Sequence, residues 1–225
     1  MIKLTQISKT YDKKKVLNKL SLSISTEKIT FLLGSNGSGK STLISIIVGL
    51  ISKDEGSIAL RDLKESDIHL ASEALNLPES FITKDAIQYF SKLKNVEEKQ
   101  VKYWQEKLGL LEHLNKKIKT LSQGNRQKLN LLLCFLGQPK FVILDEPYNG
   151  LDPNAIILLR SILKELKQNG IGILVSSHLL KEAEDVYEEV IILQEGNLLL
   201  QASKEEVQEN YASLEDAYQA KSLMP

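Results

Sequence analysis

Leu32-Leu33-Gly34-Ser35-Asn36-Gly37-Ser38-Gly39-Lys40-Ser41-Thr42-Leu43 is the stretch on which the reading of this chain turns. It begins inside an apolar run, Ile29 to Leu33, that reads as a buried strand. Lys40 to Leu50 then reads as a helix, stopped near Gly49 and Lys53-Asp54. Between strand and helix lies the pattern G-x-x-x-x-G-K-[ST]. Glycines there let the backbone wrap so that successive N–H groups point inward at an anion. The helix N-terminus adds partial positive charge at the same place. The segment Gly34, Ser35, Asn36, Gly37, Ser38, Gly39 is therefore expected to cradle phosphates. Lys40 adds a full charge for the β- and γ-phosphates, and Thr42 can donate to the α-phosphate. The Ser41 hydroxyl is small and hard, which suits Mg²⁺. A plain Gly/Ser linker needs neither that lysine nor those flanks.

The complementary element is Phe141-Val142-Ile143-Leu144-Asp145-Glu146. Four apolar residues predict a buried strand, and two carboxylates follow at its carboxyl end, where open α/β sheets bind ligands. Asp145 is expected to hold the Mg²⁺ hydration shell, and Glu146 to polarise the attacking water as general base.

Working outward, residues 2–7 and 20–24 alternate apolar and polar as half-buried strands do, with Tyr11 to Lys15 as the turn between them. Gly56 to Leu60 and Asp67 to Ala71 read as short strands. From Ala74 to about Gly137 the pattern is helical, and Val101, Trp104, Leu108 and Leu111 fall on one face, with Trp104 in the core. Strands return at Phe141 to Leu144, Ile171 to Ser176 and Val190 to Leu193, with a helix at Asn154 to Lys167. Alternating strands and helices predict an α/β fold on a mainly parallel sheet. The division expected is one domain over 1–225, with a core of 1–73 and 139–225 and an inserted helical lobe at about 74–138.

Composition narrows the function. Lys plus Arg and Asp plus Glu both number 29 in 225 residues, so no basic surplus supports nucleic-acid binding. The single cysteine, Cys134, excludes an internal disulfide and clustered cysteine zinc sites. No apolar run approaches the roughly 18 residues of a membrane span. Met1-Ile2-Lys3 leads straight into strand-like sequence, so no signal peptide is expected. The expectation is a chain soluble by itself, or a peripheral subunit.

Leu121-Ser122-Gln123-Gly124-Asn125-Arg126-Gln127-Lys128-Leu129 precedes the carboxylate strand. Together with Leu32 to Leu43, Asp145-Glu146-Pro147, Asn149-Gly150-Leu151-Asp152-Pro153 and Val175-Ser176-Ser177-His178, it resembles the signature of ATP-binding cassette (ABC) ATPases. The likeness runs from Tyr11 to about Gly196. It implies a P-loop NTPase with an N-terminal antiparallel β-subdomain and an inserted α-helical lobe. It implies ATP and Mg²⁺ as ligands, and a nucleotide held between two chains packed head to tail, as homodimer or heterodimer. Ser122, Gln123, Gly124 and Asn125 would then meet the γ-phosphate held by the partner chain, His178 would orient the attacking water, Asp152 would communicate across the dimer, and Tyr11 would stack on adenine. His69 and His113 match no motif and are expected to be structural or exposed.

Three positions depart from the family pattern. Glu73 falls where a Mg²⁺-sensing glutamine is usual, Asn125 replaces the glutamine that ends the signature, and Tyr148 replaces a small residue. None removes the core chemistry, so an active ATPase is expected. The resemblance further implies a separate integral membrane permease as partner, with the chain on the inner face of the cell membrane. Leu75, Leu77, Phe81 and Ile82 around Pro78 form an apolar cluster where such a partner's coupling helix would dock. The compact length and Ser213-Leu214-Glu215-Asp216 resemble small bacterial exporter subunits for drugs, bacteriocins and peptides. The alternative is a soluble ABC ATPase of iron–sulfur assembly or another non-transport role. A P-loop kinase or GTPase fits less well, because no guanine-reading Asn-Lys-x-Asp is present.

Overall fold

The computed structural model describes residues 1–72 and 77–222. β1 (Ile2–Tyr11) and β2 (Lys14–Ile24) form an antiparallel hairpin. β3 (Ile29–Leu33), the phosphate loop and α1 (Lys40–Ile47) follow. β4 (Glu55–Leu60) pairs with β1, and β5 (Ile68–Ala71) joins the second sheet. Then come α2 (Thr83–Leu93), α3 (Glu98–Lys107) and α4 (Gln123–Phe135). The chain returns through β6 (Phe141–Asp145), α5 (Pro153–Gln168), β7 (Gly172–Ser177), α6 (Leu180–Ala183), β8 (Glu189–Gln194) and β9 (Asn197–Ser203). α7 (Lys204–Asn210) and α8 (Leu214–Ser222) close it.

Among the described residues the strands form two sheets, one ordered β2-β1-β4 and one ordered β5-β6-β7-β3-β8-β9. In the second, only β9 runs antiparallel to its neighbour. Its central strands are buried and mainly apolar because both faces are covered, with Thr30, Ser176 and Ser177 as buried polar exceptions. Phe31 and Leu33, Val142 and Leu144, Ile173 and Val175, and Val190 and Ile192 all face one core, with the helices α2 to α5. The alternate residues Leu32, Ile143, Leu174 and Ile191 face a second core, shared with α1 and the antiparallel sheet. That period of two is the pleat of a strand read on both sides.

Three expectations are corrected. The first hairpin is longer than its alternation suggested, because β2 is an edge strand whose Lys14 and Lys15 point to solvent and mask the pattern. Its turn is only Asp12-Lys13, both at positive φ, which leaves Tyr11 at a strand end. Leu111 does not share the buried face of Trp104: α3 stops at Lys107, the chain turns at Gly109, and Leu111 is about half exposed. The first helix ends at Ile47 rather than Leu50. β9 was not anticipated, since Asn197 to Ser203 carries no clear alternation.

Trp104 lies in the core, with its ring centroid 4.9 Å from that of Phe135 on α4. Trp104→Ala is expected to lower unfolding stability by about 3–5 kcal/mol, read as a shifted midpoint in urea with an unchanged slope.

Candidate nucleotide site

Buried parallel strands can carry polar side chains only where they emerge, and here three do so together. β7 lies between β3 and β6, with Leu33 opposite Ser177 and Asp145 opposite Ser176. The phosphate loop leaves β3, the carboxylates leave β6, and His178 follows β7. Lys40, Ser41, Asp145, Glu146 and His178 are thereby gathered at one edge.

The loop is held by its glycines. Gly39 caps α1 at φ 104°, a conformation that side chains rarely adopt. A Cβ there would lie 2.7 Å from Leu17 Cδ2 and 3.0 Å from the Val16 carbonyl oxygen, both on β2. A cavity of about 290 Å³ opens beside the loop, lined by Asn36, Gly37, Gly39, Lys40, Ser41, Thr42 and Glu146. Lys14 and Val16 on β2 line it too. Sequence reading missed both, although a lysine run one turn from Tyr11 was visible.

Lys40 is only 5 % exposed. Its ammonium donates to the carbonyl oxygens of Gly34 at 2.7 Å and Ser35 at 3.3 Å, and lies 3.3 Å from Glu146 Oε1. The other carboxylate oxygen, Glu146 Oε2, is 2.8 Å from His178 Nδ1. Glu146 therefore sits between two nitrogen donors. Its backbone is at φ 49°, left-handed and uncommon outside glycine. Asp145 is held by hydroxyls: Oδ1 accepts from Ser176 at 2.6 Å and from Ser41 at 3.3 Å, and Oδ2 accepts from Ser72 at 3.5 Å. Ser41 Oγ and Asp145 Oδ1 are hard oxygens side by side at the cavity edge, a donor pair that fits Mg²⁺. Among the described residues no group of three or more His, Cys, Asp and Glu forms a metal cage. Glu73 lies outside the described residues.

Tyr11 presents an exposed ring at the end of β1. Lys9 stands 5.3 Å from its centroid and is itself tied to Asp54 at 2.8 Å. The ring is thus steadied on one side and open for stacking.

The signature segment does not line this cavity. Ser122 caps α4 and accepts from the Asn125 amide at 3.3 Å, and Ser122 and Gln123 are exposed at this helix start. Gly124 packs so closely on Gly150 that a Cβ would come within 2.7 Å of the Gly150 carbonyl oxygen. Signature helix and Asn149–Asp152 turn are therefore one packed unit. Asp152 caps α5, accepting from the Ala155 amide at 2.9 Å, and that bond holds its carboxyl below the usual range. Asn125 Nδ2 lies 3.0 Å from His113 Nε2, so one of the two unassigned histidines touches the signature. The other, His69, lies 2.8 Å from the Cys134 carbonyl oxygen, and burial lowers its pKa. Tyr148 is buried, which pushes its phenol upward.

A second and larger cavity, about 870 Å³, lies away from this chemistry. Leu50, Leu77, Phe81, Tyr89, Phe90 and Leu133 make it a mainly apolar groove between α2, α4 and β5. Ile82 does not line it, since it stands at the start of α2, and Leu75 lies outside the described residues.

A wrapped glycine loop before a helix, with a strand-end carboxylate pair facing its lysine, defines a P-loop nucleotide hydrolase on a parallel sheet. Within that class, this chain belongs to the ABC transporter family, whose description matches residues 17–149. A shorter stretch, 117–182, also matches an AAA domain. The ATP-binding protein YhaQ of Bacillus subtilis, an uncharacterized ABC transporter component, is 33% identical over 221 residues, covering 94% of this chain and 74% of its own. The lantibiotic transport ATP-binding protein SrtF of Streptococcus pyogenes is 32% identical over 206 residues, covering 89% and 90%. A solved ATP-binding subunit of an ABC transporter superposes with a TM-score of 0.87 at 25% identity over 99% of both chains. The dimeric post-hydrolysis cassette MJ0796, bound to ADP and Pi, superposes at 0.81 with 22% identity, over 90% of this chain and 98% of that one, a likeness of fold. This chain is thus an ATP-binding subunit of the kind that powers transport.

Gly39→Ala must strain or shift the loop, a cost of about 1–3 kcal/mol. Titration with a fluorescent ATP analogue is expected to show affinity reduced by about tenfold or more.

Proposed function

We propose that this chain hydrolyses Mg-ATP as one of two head-to-tail subunits, homodimer or heterodimer, beneath a membrane permease. The observation that carries the chemistry is Glu146, held by Lys40 at 3.3 Å and His178 at 2.8 Å beside a cavity lined by the phosphate loop. Incoming phosphates compete for Lys40, which frees one oxygen of Glu146. Glu146 then accepts a proton from the attacking water, and His178, bonded to it through Nδ1, keeps its other ring nitrogen for the γ-phosphate. Ser41 and Asp145 are the residues that would hold Mg²⁺, which would supply positive charge to offset the negative charge of the phosphates. The outward-facing start of α4, capped by Ser122, is the surface offered to the partner's nucleotide.

The transport direction proposed is export of a peptide, drug or similar solute, supported by the likeness to a lantibiotic transport protein over nine-tenths of both chains. Among the described residues no helix is long and apolar enough to cross a membrane. Attachment at the inner face therefore falls to the apolar groove of Leu77 and Phe81, which has the shape of a helix-in-groove contact with a permease's cytoplasmic helix.

Glu146→Gln is expected to reduce ATP turnover by about 10²-fold or more while ATP binding persists, measured by phosphate release and analogue titration. That variant, held with ATP and pulled down from detergent-solubilised native membranes, is expected to bring a multi-span permease with it. Recovery of soluble proteins alone would overturn the transporter reading in favour of a soluble role. Replacing Leu77 and Phe81 together with Asp is expected to abolish membrane association with folding intact by circular dichroism. Unchanged association would exclude the groove as the docking site.

A further inference from the structure

The deepest polar group of the site is one that the chemistry above does not use. Ser176 is fully buried on β7, opposite Asp145 in the β6–β7 register. Its hydroxyl makes two short bonds. It donates to Asp145 Oδ1 at 2.6 Å and accepts from the Glu146 backbone N–H at 2.8 Å. A serine hydroxyl has one hydrogen to give, so this pair of bonds fixes its rotor in one direction.

Each bond holds a different part of the site. The bond to Asp145 is much shorter than the one from Ser41 to the same oxygen, 2.6 against 3.3 Å, so Ser176 is the firmer anchor of that carboxylate. Among the described residues the other oxygen, Oδ2, has the long 3.5 Å contact from Ser72. The bond from Glu146 N–H ties down the residue at φ 49°, the bend that turns its side chain back toward Lys40 and His178. An apolar residue at 176 would fill the strand equally well but would orphan a buried N–H and loosen a carboxylate at once.

We propose that Ser176 is a positioning residue for hydrolysis, one hydroxyl that sets the cation-facing carboxylate and the water-facing base in register with each other. The proposal rests on the Mg-ATPase reading above. It predicts a separation between binding and turnover, because Ser176 does not line the phosphate cavity. Hydrogen-bond partners behind a metal ligand typically contribute about 10–100-fold to affinity or activity.

The test compares native protein with Ser176→Ala and Ser176→Cys, the second keeping nearly the original volume while weakening the donor. Expected for Ser176→Ala are an unchanged thermal unfolding profile and an affinity for a fluorescent ATP analogue in EDTA within about twofold of native. With these, kcat falls by about tenfold or more, and the Mg²⁺ concentration for half-maximal turnover rises. Ser176→Thr, which restores a hydroxyl, is expected to recover most of the lost kcat. Native-like kcat and Mg²⁺ dependence in the alanine variant would overturn the inference. So would a loss of metal-free nucleotide affinity in step with kcat, because that marks general distortion. If Ser176→Ala does not fold, Ser176→Cys is judged by the same measurements, and failure of both to fold would assign the hydroxyl to folding alone. Absence of Mg-ATPase activity in the native protein is a separate result, one that removes the parent reading itself.

Discussion

A parallel strand covered on both faces has no place for a charge until it ends. That constraint organises this molecule. β3, β6, β7 and β8 are apolar at nearly every residue because helices cover one face and the antiparallel sheet with α1 covers the other. Polar chemistry is driven to the strand ends, and the order β6-β7-β3 decides which ends are neighbours. The lysine after β3 and the glutamate after β6 are more than a hundred residues apart in sequence. They meet because β7 alone separates β3 from β6 in the sheet, with Ser176 and Ser177 at its end and His178 just beyond. Behind the loop stands the hairpin, whose Leu17 and Val16 leave no room for a side chain at Gly39.

The electrostatics follow from that crowding. Glu146 is bracketed by an ammonium and an imidazole, while Asp145, its neighbour in the chain, is surrounded by hydroxyls. Two adjacent carboxylates are thus given different company, one by charge and one by neutral donors. On the proposed reading this divides their labour: the base is exchanged from lysine to water as phosphates arrive, and the cation ligand stays put. A little further out, Glu182 accepts from Ser177, and burial raises its carboxyl above the usual range.

Much of this was legible beforehand, and for a physical reason. The glycine loop, Lys40, Asp145 and Glu146 are contiguous motifs whose flanks alone predict strand, turn and helix. What escaped notice depends on neighbours far away in sequence. Lys14 and Val16 enter the site only because β2 packs on the loop, and Ser176 matters only because β6 lies beside β7. His113 looked idle until a helical turn brought it to Asn125. The β1–β2 boundary and Leu111 went astray where charge or a glycine interrupts the periodicity. Within the stretch 77–138, α2 and α3 pack on α4, and α4 packs in turn on β5 and β6.

Cys134 sits on α4 in the main core, almost wholly shielded, and burial pushes its thiol up to about 12. At neutral pH it offers neither a thiolate nor a path for a reagent. The candidate site itself is built from oxygen and nitrogen donors alone. Thiol-directed reagents, which silence enzymes through an exposed cysteine, therefore find no such handle on Cys134. A cysteine introduced on the surface would be the lone reactive sulfhydryl of this sequence, so spin or fluorophore pairs would report on the proposed two-chain assembly against a silent background.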